Sequence, residues 1–471
     1  MARPSDQVLS ILKARLEKAA ILAGDAVDPR YSDDLSGEPG ARPELVLRPR
    51  NTREVAEIIN ACNAARLPLV VQGGRTGLSG GARVLAGEAV LSLERMTALE
   101  DVEPTAGTII AEAGVPLQVV QEKADAAGLV FGVDIGARGT ATIGGNIATN
   151  AGGIRVLRYG NFRAQVLGLE AVLADGTVLS SLKGLAKDNS GYDLSQLFIG
   201  SEGTLGVVTR ACLKLHPKPI TQSAAFCSLP SLDAAFGLLK FLRGRLGNLL
   251  SGFEVILAPL MGDMVAALGL TAPVALSSPV YVLTDIQGMT PGADEEAFTV
   301  ALSQAIEDGL VEDVVLSQSE REFQALWMLR DDCNRFLFAE GAMLSLDVSL
   351  PLPRMGEFLD LAKAAQGRAD PAARDYVFGH LGDGNLHYVV RTDRPNEVAK
   401  AVFGSVALTG GSISAEHGIG LDKKAYLHLT RDPAELAAMR RLKAALDPNN
   451  ILNPGRIFDM PLPRSTSEIP A

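Results

Sequence analysis

Cysteine is scarce in this chain of 471 residues: the four present, Cys62, Cys212, Cys227 and Cys333, lie far apart and never in Cys-x-x-Cys spacing. That argues against a zinc ribbon, an iron–sulfur cluster or a disulfide framework, and leaves four reduced thiols, mostly in cores. Long apolar runs are missing too. The Ser10–Ala23 stretch is broken by Lys13, Arg15, Glu17 and Lys18, unlike a signal peptide, and the apolar region 249–276 carries Glu254 and Asp263, short of the roughly 20 clean residues a membrane span needs. The expectation is a cytoplasmic protein. Positive charge is in the minority, 44 Lys and Arg against 55 Asp and Glu, and the net charge of −11 repels nucleic acid and anionic lipid. Neither G-x-G-x-x-G nor a Gly-Lys dipeptide occurs, so the Rossmann and Walker patterns are absent.

What is present is a chain 47% hydrophobic, long enough for two or three cores, and two domains are expected. Glu44–Leu47 reads as a strand, Thr52 caps a helix with Val55, Ile58, Ile59 and Cys62 on one face, and Leu67–Val71 runs into the glycine-rich residues 72–81. Strands at Ala89–Leu93, Thr108–Ala113, Val166–Leu173 and Gly206–Leu215, with a helix near Leu117–Ala127, continue an α+β domain. His216-Pro217-Lys218-Pro219 breaks regular structure and marks the boundary. Beyond it, helices (Leu232–Arg245, Asp294–Asp308, Arg321–Ala339) alternate with strands (Val280–Ile286, Met343–Leu350, Tyr376–His380, Leu386–Val390). A helix at Pro433–Leu446 and a loose tail after Pro461 complete the chain.

Two stretches concentrate glycine: 72–81 and 136–153. Such loops serve either as plain turns or as cradles that bring backbone N–H groups to a pyrophosphate. His380 and His387 flank an Asp383-Gly384 hairpin signal; a two-residue turn there pairs them directly, with Cβ atoms roughly 5 Å apart, close enough to share a divalent metal. Glu416 and His417 stand among glycines, so they belong to one site if the chain turns there, and otherwise to a solvated loop. Arg330, with Asn334 one helical turn on, is either a fork for a carboxylate or a surface residue paired with Glu322 or Asp331. His216 and His428 read as structural.

Several stretches in order resemble the FAD-linked oxidases of the vanillyl-alcohol oxidase or PCMH type, and within them the D-2-hydroxyglutarate and D-lactate dehydrogenase group. They are Gly73-Gly74-Arg75-Thr76-Gly77, 143–153, Lys187-Asp188-Asn189-Ser190-Gly191-Tyr192-Asp193-Leu194, 198–206, His380–His387, Ala415–Gly418 and Asn453-Pro454-Gly455. The resemblance implies an α+β fold: an FAD-binding domain of two α/β subdomains over residues 1–219, a substrate domain with an antiparallel sheet over 220–424, and a segment 425–471 that returns to the first domain. It places Gly73, Gly74, Arg75, Thr76, Gly77, Leu78 and Ser79 around the FAD pyrophosphate. Thr140, Thr142, Gly144, Gly145, Asn146, Asn150, Gly152 and Gly153 would line the flavin and ribityl chain, Glu202, Gly203, Gly206, Val207 and Val208 would approach the adenine end, and Asn453 would return to the flavin. The first loop lacks a histidine, so FAD should be dissociable. The same likeness assigns His380, His387 and Glu416 to a metal, usually zinc, His417 to the catalytic base, and Arg330 with Asn334 to the substrate carboxylate.

Two departures stand out: Ser345 and Val389 occupy positions where the hydroxyglutarate enzymes usually present a lysine and an asparagine. The expected substrate is therefore a D-2-hydroxy acid, whether hydroxyglutarate, lactate or a longer apolar one, with an electron-transfer flavoprotein or a quinone as acceptor and a homodimer as the default assembly. A same-fold transferase resembling alkylglycerone-phosphate synthase, or the flavin subunit of a glycolate-oxidase-like complex, are the competing readings.

Overall fold

The computed structural model describes residues 3–341 and 343–460; the expected loose tail after Pro461 lies outside them. A helix over Pro4–Leu12 leads into the first sheet, built from β1 (Ile21–Ala23), β2 (Leu45–Leu47), β3 (Leu69–Gln72) and β4 (Ala89–Ser92) in the order β1-β2-β4-β3. The Thr52–Ala65 helix covers it, burying Val55, Ile58, Ile59 and Cys62 against Leu47, Leu69 and Leu91. Its cap is Asn51 rather than Thr52: the Asn51 side chain accepts from Glu54 N at 3.0 Å, while the Thr52 hydroxyl is spent on Glu170.

The second sheet is antiparallel, β5-β9-β7-β8, from β5 (Thr108–Glu112), β7 (Val166–Val172), β8 (Val178–Ser180) and β9 (Val207–Lys214); β6 (Leu129–Val130) pairs separately with β10 (His216–Pro217). The expected break at His216 is thus a short strand, because Pro217 sits at a sheet edge where its missing N–H costs little. Within four residues the chain passes to a third sheet. This sheet has seven antiparallel strands, ordered β14-β11-β13-β12-β16-β17-β15: β11 (Thr221–Leu229), β12 (Leu250–Leu257), β13 (Val280–Gly288), β14 (Asp313–Leu316), β15 (Leu344–Ser349), β16 (Arg374–His380) and β17 (Asn385–Arg391).

Both faces of that sheet are covered, so its strands read as apolar runs rather than as clean alternation. One face packs Val282, Val255, Val377 and Val348 under four helices that include Leu232–Leu246 and Pro395–Leu408. The other packs Leu283, Ile256, Phe378 and Val389 under the helices Ala258–Leu268 and Glu320–Ala339. This second face carries the site. Among the described residues no helix is long and apolar enough to cross a membrane.

Candidate functional site

Polar side chains interrupt the second face along a single row. Register pairs Glu254 on β12 with His380 on β16, Phe378 on β16 with His387 on β17, and His387 with Asp347 on β15. The two-residue turn expected at Asp383-Gly384 is replaced by a 3-10 turn over Leu381–Asp383 closed by Gly384 at φ +88°, so His387 lies opposite Phe378 and not opposite His380. Side chains alternate with period two, so this two-residue slip keeps both histidines on one face. Their ring centroids are 5.3 Å apart and nearly perpendicular.

Glu416 and His417 reach the row because Asp347 turns the chain beneath them. Its Oδ2 accepts from the backbone N–H of Ala415, Glu416 and His417 at 3.1, 2.8 and 3.0 Å, and its Oδ1 accepts from Asn385 Nδ2 at 2.8 Å. Glu416 Oε2 then lies 3.8 Å from His380 Nε2, and the His417 ring stacks parallel to His387 at 6.1 Å. His380, His387 and Glu416 each offer one ligand atom, all within 4.8 Å of one another; Asp347, His387 and His417 form a second such group. Two imidazoles and a carboxylate at this spacing fit a divalent cation.

Arg330 is buried on the Glu320–Ala339 helix, which excludes the surface pairing with Glu322 or Asp331. Its Nε donates to Glu254 Oε2 at 3.0 Å, its guanidinium carbon lies 5.1 Å from the Phe378 ring centre, and both Nη groups have no hydrogen-bond partner among the described residues. Asn334, one turn on, is half-buried and equally free of side-chain bonds there. His216 bonds Gln165 instead of the site, and His428 lies in a surface turn.

The charges of the row are set by burial and by one another. Burial alone would raise Glu254, but His380 and Arg330 hold it down at about 2. Burial disfavours a charged His380, yet Glu254 and Glu416 outweigh it and push the ring up to about 9. His387 is held well below its usual value by burial and the neighbouring His380. Asp347, though buried, stays far below the usual carboxylate range because His417, Lys423 and His387 surround it. From the sequence Glu254 is only an interruption of an apolar region, and Asp347 and Lys423 carry no site role. For the two acids the signal is a lone acid in an apolar strand, since charges taken out of water are almost always paired.

Beside this row lie the two glycine-rich loops. A Cβ on Gly73 would land 2.3 Å from Thr142 Oγ1, and one on Gly74 2.1 Å from Thr140 O, so the first loop packs directly on the second. Gly144 abuts Ala113, Gly153 has φ +101°, and Gly152 faces Glu416. Arg75 takes a left-handed φ of +56° over the Tyr31 ring; Thr76 and Gly77 are half-buried and Leu78 is exposed. Along these loops the buried Ser79 Oγ, Thr142 Oγ1 and Asn146 Nδ2 have no partner among the described residues, a lining that fits the phosphate and ribityl oxygens of FAD. Gly145 shares the short helix Ile143–Thr149 with Asn146, and Asn150 ends it, accepting from Arg163 N.

Glu202 closes the same region, its carboxylate accepting from Ile419 N and Gly420 N at 2.7 Å. Asn453 does return there, but its amide is used by protein: Oδ1 accepts from Val71 N at 2.8 Å and Nδ2 donates to the Glu202 carbonyl at 2.6 Å, beside Gly203. Gly206 packs on Phe198, while the Val207 and Val208 side chains lie in the two cores of the first half.

Comparison with known proteins bears on the whole chain. The FAD binding domain family matches residues 43–181, and the C-terminal domain family of FAD linked oxidases matches 218–457. D-2-hydroxyglutarate dehydrogenase, mitochondrial, of Bos taurus is 41% identical over 460 residues, covering 96% of this chain and 84% of its own. The D-2-hydroxyglutarate dehydrogenase of Xanthomonas citri pv. viticola is 40% identical over 91% of this chain and 92% of its own. Among solved structures, p-cresol methylhydroxylase superposes with a TM-score of 0.75 at 17% identity over 97% of both chains, and an alkyldihydroxyacetonephosphate synthase with 0.74 at 16% identity over 96% of this chain and 85% of its own; these show the fold.

Proposed function

The chain belongs to the FAD-linked oxidases and is an FAD-dependent oxidoreductase, and from that premise we propose that it oxidises a D-2-hydroxy acid to the 2-oxo acid. The observation that carries this reading is the meeting of His380, His387 and Glu416 with His417 and the free Nη edge of Arg330, beside the glycine-rich cradle. Arg330 is matched to the substrate carboxylate because a guanidinium fork meets two oxygens at once. His417, with Nδ1 turned toward Asp347 at 3.8 Å, keeps Nε2 for the proton of the substrate hydroxyl. A divalent cation on His380, His387 and Glu416 would supply a Lewis acid for that hydroxyl oxygen. FAD, when bound by the glycine-rich cradle, would supply the two-electron acceptor for the hydride of the substrate carbon.

Beyond His387 the same face continues with Val389, opposite Ser345 on β15. Neither side chain carries charge for a second carboxylate, so D-lactate and longer apolar acids stand beside D-2-hydroxyglutarate as substrates. An electron-transfer flavoprotein or a quinone is the proposed electron acceptor. The test is an anaerobic titration of the purified flavoprotein with D- and L-2-hydroxy acids, followed by loss of flavin absorbance before and after chelation. Bleaching by one D-acid that chelation abolishes is expected. No bleaching by any acid would overturn the reading in favour of a transferase or a subunit.

A further inference from the structure

Glu254 is the one acid in the strand Leu250–Leu257, and it is buried. Its two oxygens serve two different elements. Oε1 lies 2.6 Å from Nδ1 of His380, its register partner on β16, and Oε2 accepts at 3.0 Å from Nε of Arg330, on the helix that crosses over the sheet. Building on the metal and substrate roles argued above, we propose that Glu254 is a positioning residue that couples cation binding to substrate binding, by holding the ligand His380 and the clamp Arg330 in one fixed relation.

The chemistry of the pair supports the assignment. An ionised carboxylate only accepts, so Nδ1 of His380 keeps its proton toward Glu254, and Nε2, facing Glu416 at 3.8 Å, is the nitrogen whose proton a cation would displace. Partners of this kind fix the tautomer and ring orientation of a metal-bound histidine. The same carboxylate binds Arg330 through Nε, the one nitrogen that a two-pronged grip on a carboxylate at the Nη edge does not require. Without Glu254 the guanidinium could turn about its stem, and the imidazole could rotate or exchange its proton. Neither donor has an alternative acceptor among the described residues.

Glu254→Gln separates the two bonds. An amide has one accepting oxygen and a donating NH2, so it must offer a donor to either His380 or Arg330. In the purified holoprotein, metal content against a competing chelator, KM and kcat for the acid that bleaches the flavin, and Tm are measured together. The expected result is metal affinity lowered ten- to hundredfold together with a KM raised about tenfold or more. Glu254→Asp, which restores the charge on a shorter stem, should recover part of both. A folded Glu254→Gln protein with parental metal retention and parental KM overturns the proposal, as does a fall in Tm alone, the mark of a purely structural residue. If Glu254→Gln does not accumulate, Glu254→Asp is read in the same way. Absence of metal from the parent protein would sink the metal reading itself and the coupling with it, an outcome distinct from a metal-loaded parent whose variants are unaffected.

Discussion

His417 owes its place to backbone as much as to its ring. Three consecutive N–H groups converge on Asp347, so residue 417 is held by its main chain while its imidazole stays half-exposed beside His387. That arrangement suits a proton acceptor, because ligand access and fixed orientation are both retained. His417→Asn should therefore lower the rate of flavin reduction by about 10² to 10⁴-fold, the usual contribution of a positioned acid or base. Flavin content and metal content should match the parent, since none of the three proposed ligand side chains changes. Rapid-mixing absorbance with saturating acid checks this; an undiminished rate would move the base elsewhere.

At the scale of elements, the C-terminal helix Pro433–Leu446 shows how a remote segment shapes the cofactor half. Lys443 is buried, and its Nζ donates to the carbonyls of Thr204 at 2.8 Å and Leu452 at 2.7 Å while pairing with Asp447, which accepts from Ile451 N and Leu452 N. One ammonium thus ties the 201–205 turn to the segment that carries Asn453. Lys443→Met leaves Asp447 buried without its cation, a change that costs about 3 to 5 kcal/mol, and should also release FAD more readily. Denaturant unfolding and the flavin fluorescence of a filtrate measure the two effects. This helix was readable from Pro433 and from its stop at Asp447-Pro448, because such end signals are local, and the structure adds the Asp432–Glu435 capping box. The His380–His387 register was not, since a turn-type signal fixes pairing only if the turn has the assumed length; the shared face survived because the slip was even. Glu254 and Asp347 were the least legible, because their partners are chosen by strand order in a seven-stranded sheet, and Glu254 lies 126 residues from His380.

The whole molecule depends on the two halves meeting, because the site draws on both: Gly153 of the cradle donates its N–H to Glu416 of the opposite half. Two residues beyond Gly153, Arg155 crosses the same boundary. It pairs with the buried Asp285 on β13, donates to Ser251 Oγ at 3.2 Å and lies over Trp327, three residues before Arg330 on the same helix. Arg158 adds bonds to the carbonyls of Asn248 and Gln287, and Tyr159 donates to the Gln287 side chain. The 155–159 segment is therefore a clasp from the flavin loop to the sheet that holds the histidines. Arg155→Met removes its central charge, so Asp285 must either stay ionised without a partner or take up a proton. Either outcome costs stability, about 3 kcal/mol near neutral pH, and less in acid, where the proton is freely supplied. Because the loss falls at the junction, calorimetry should show the parent melting in one transition and the variant in two, with the flavin half melting separately. Arg155→Met combined with Asp285→Leu should recover much of the lost stability, since a matched apolar pair carries no stranded charge. If the single variant still melts in one transition at the parental temperature, the remaining contacts, the Arg158 and Tyr159 bonds among them, hold the halves and the Arg155–Asp285 pair has no mechanical role.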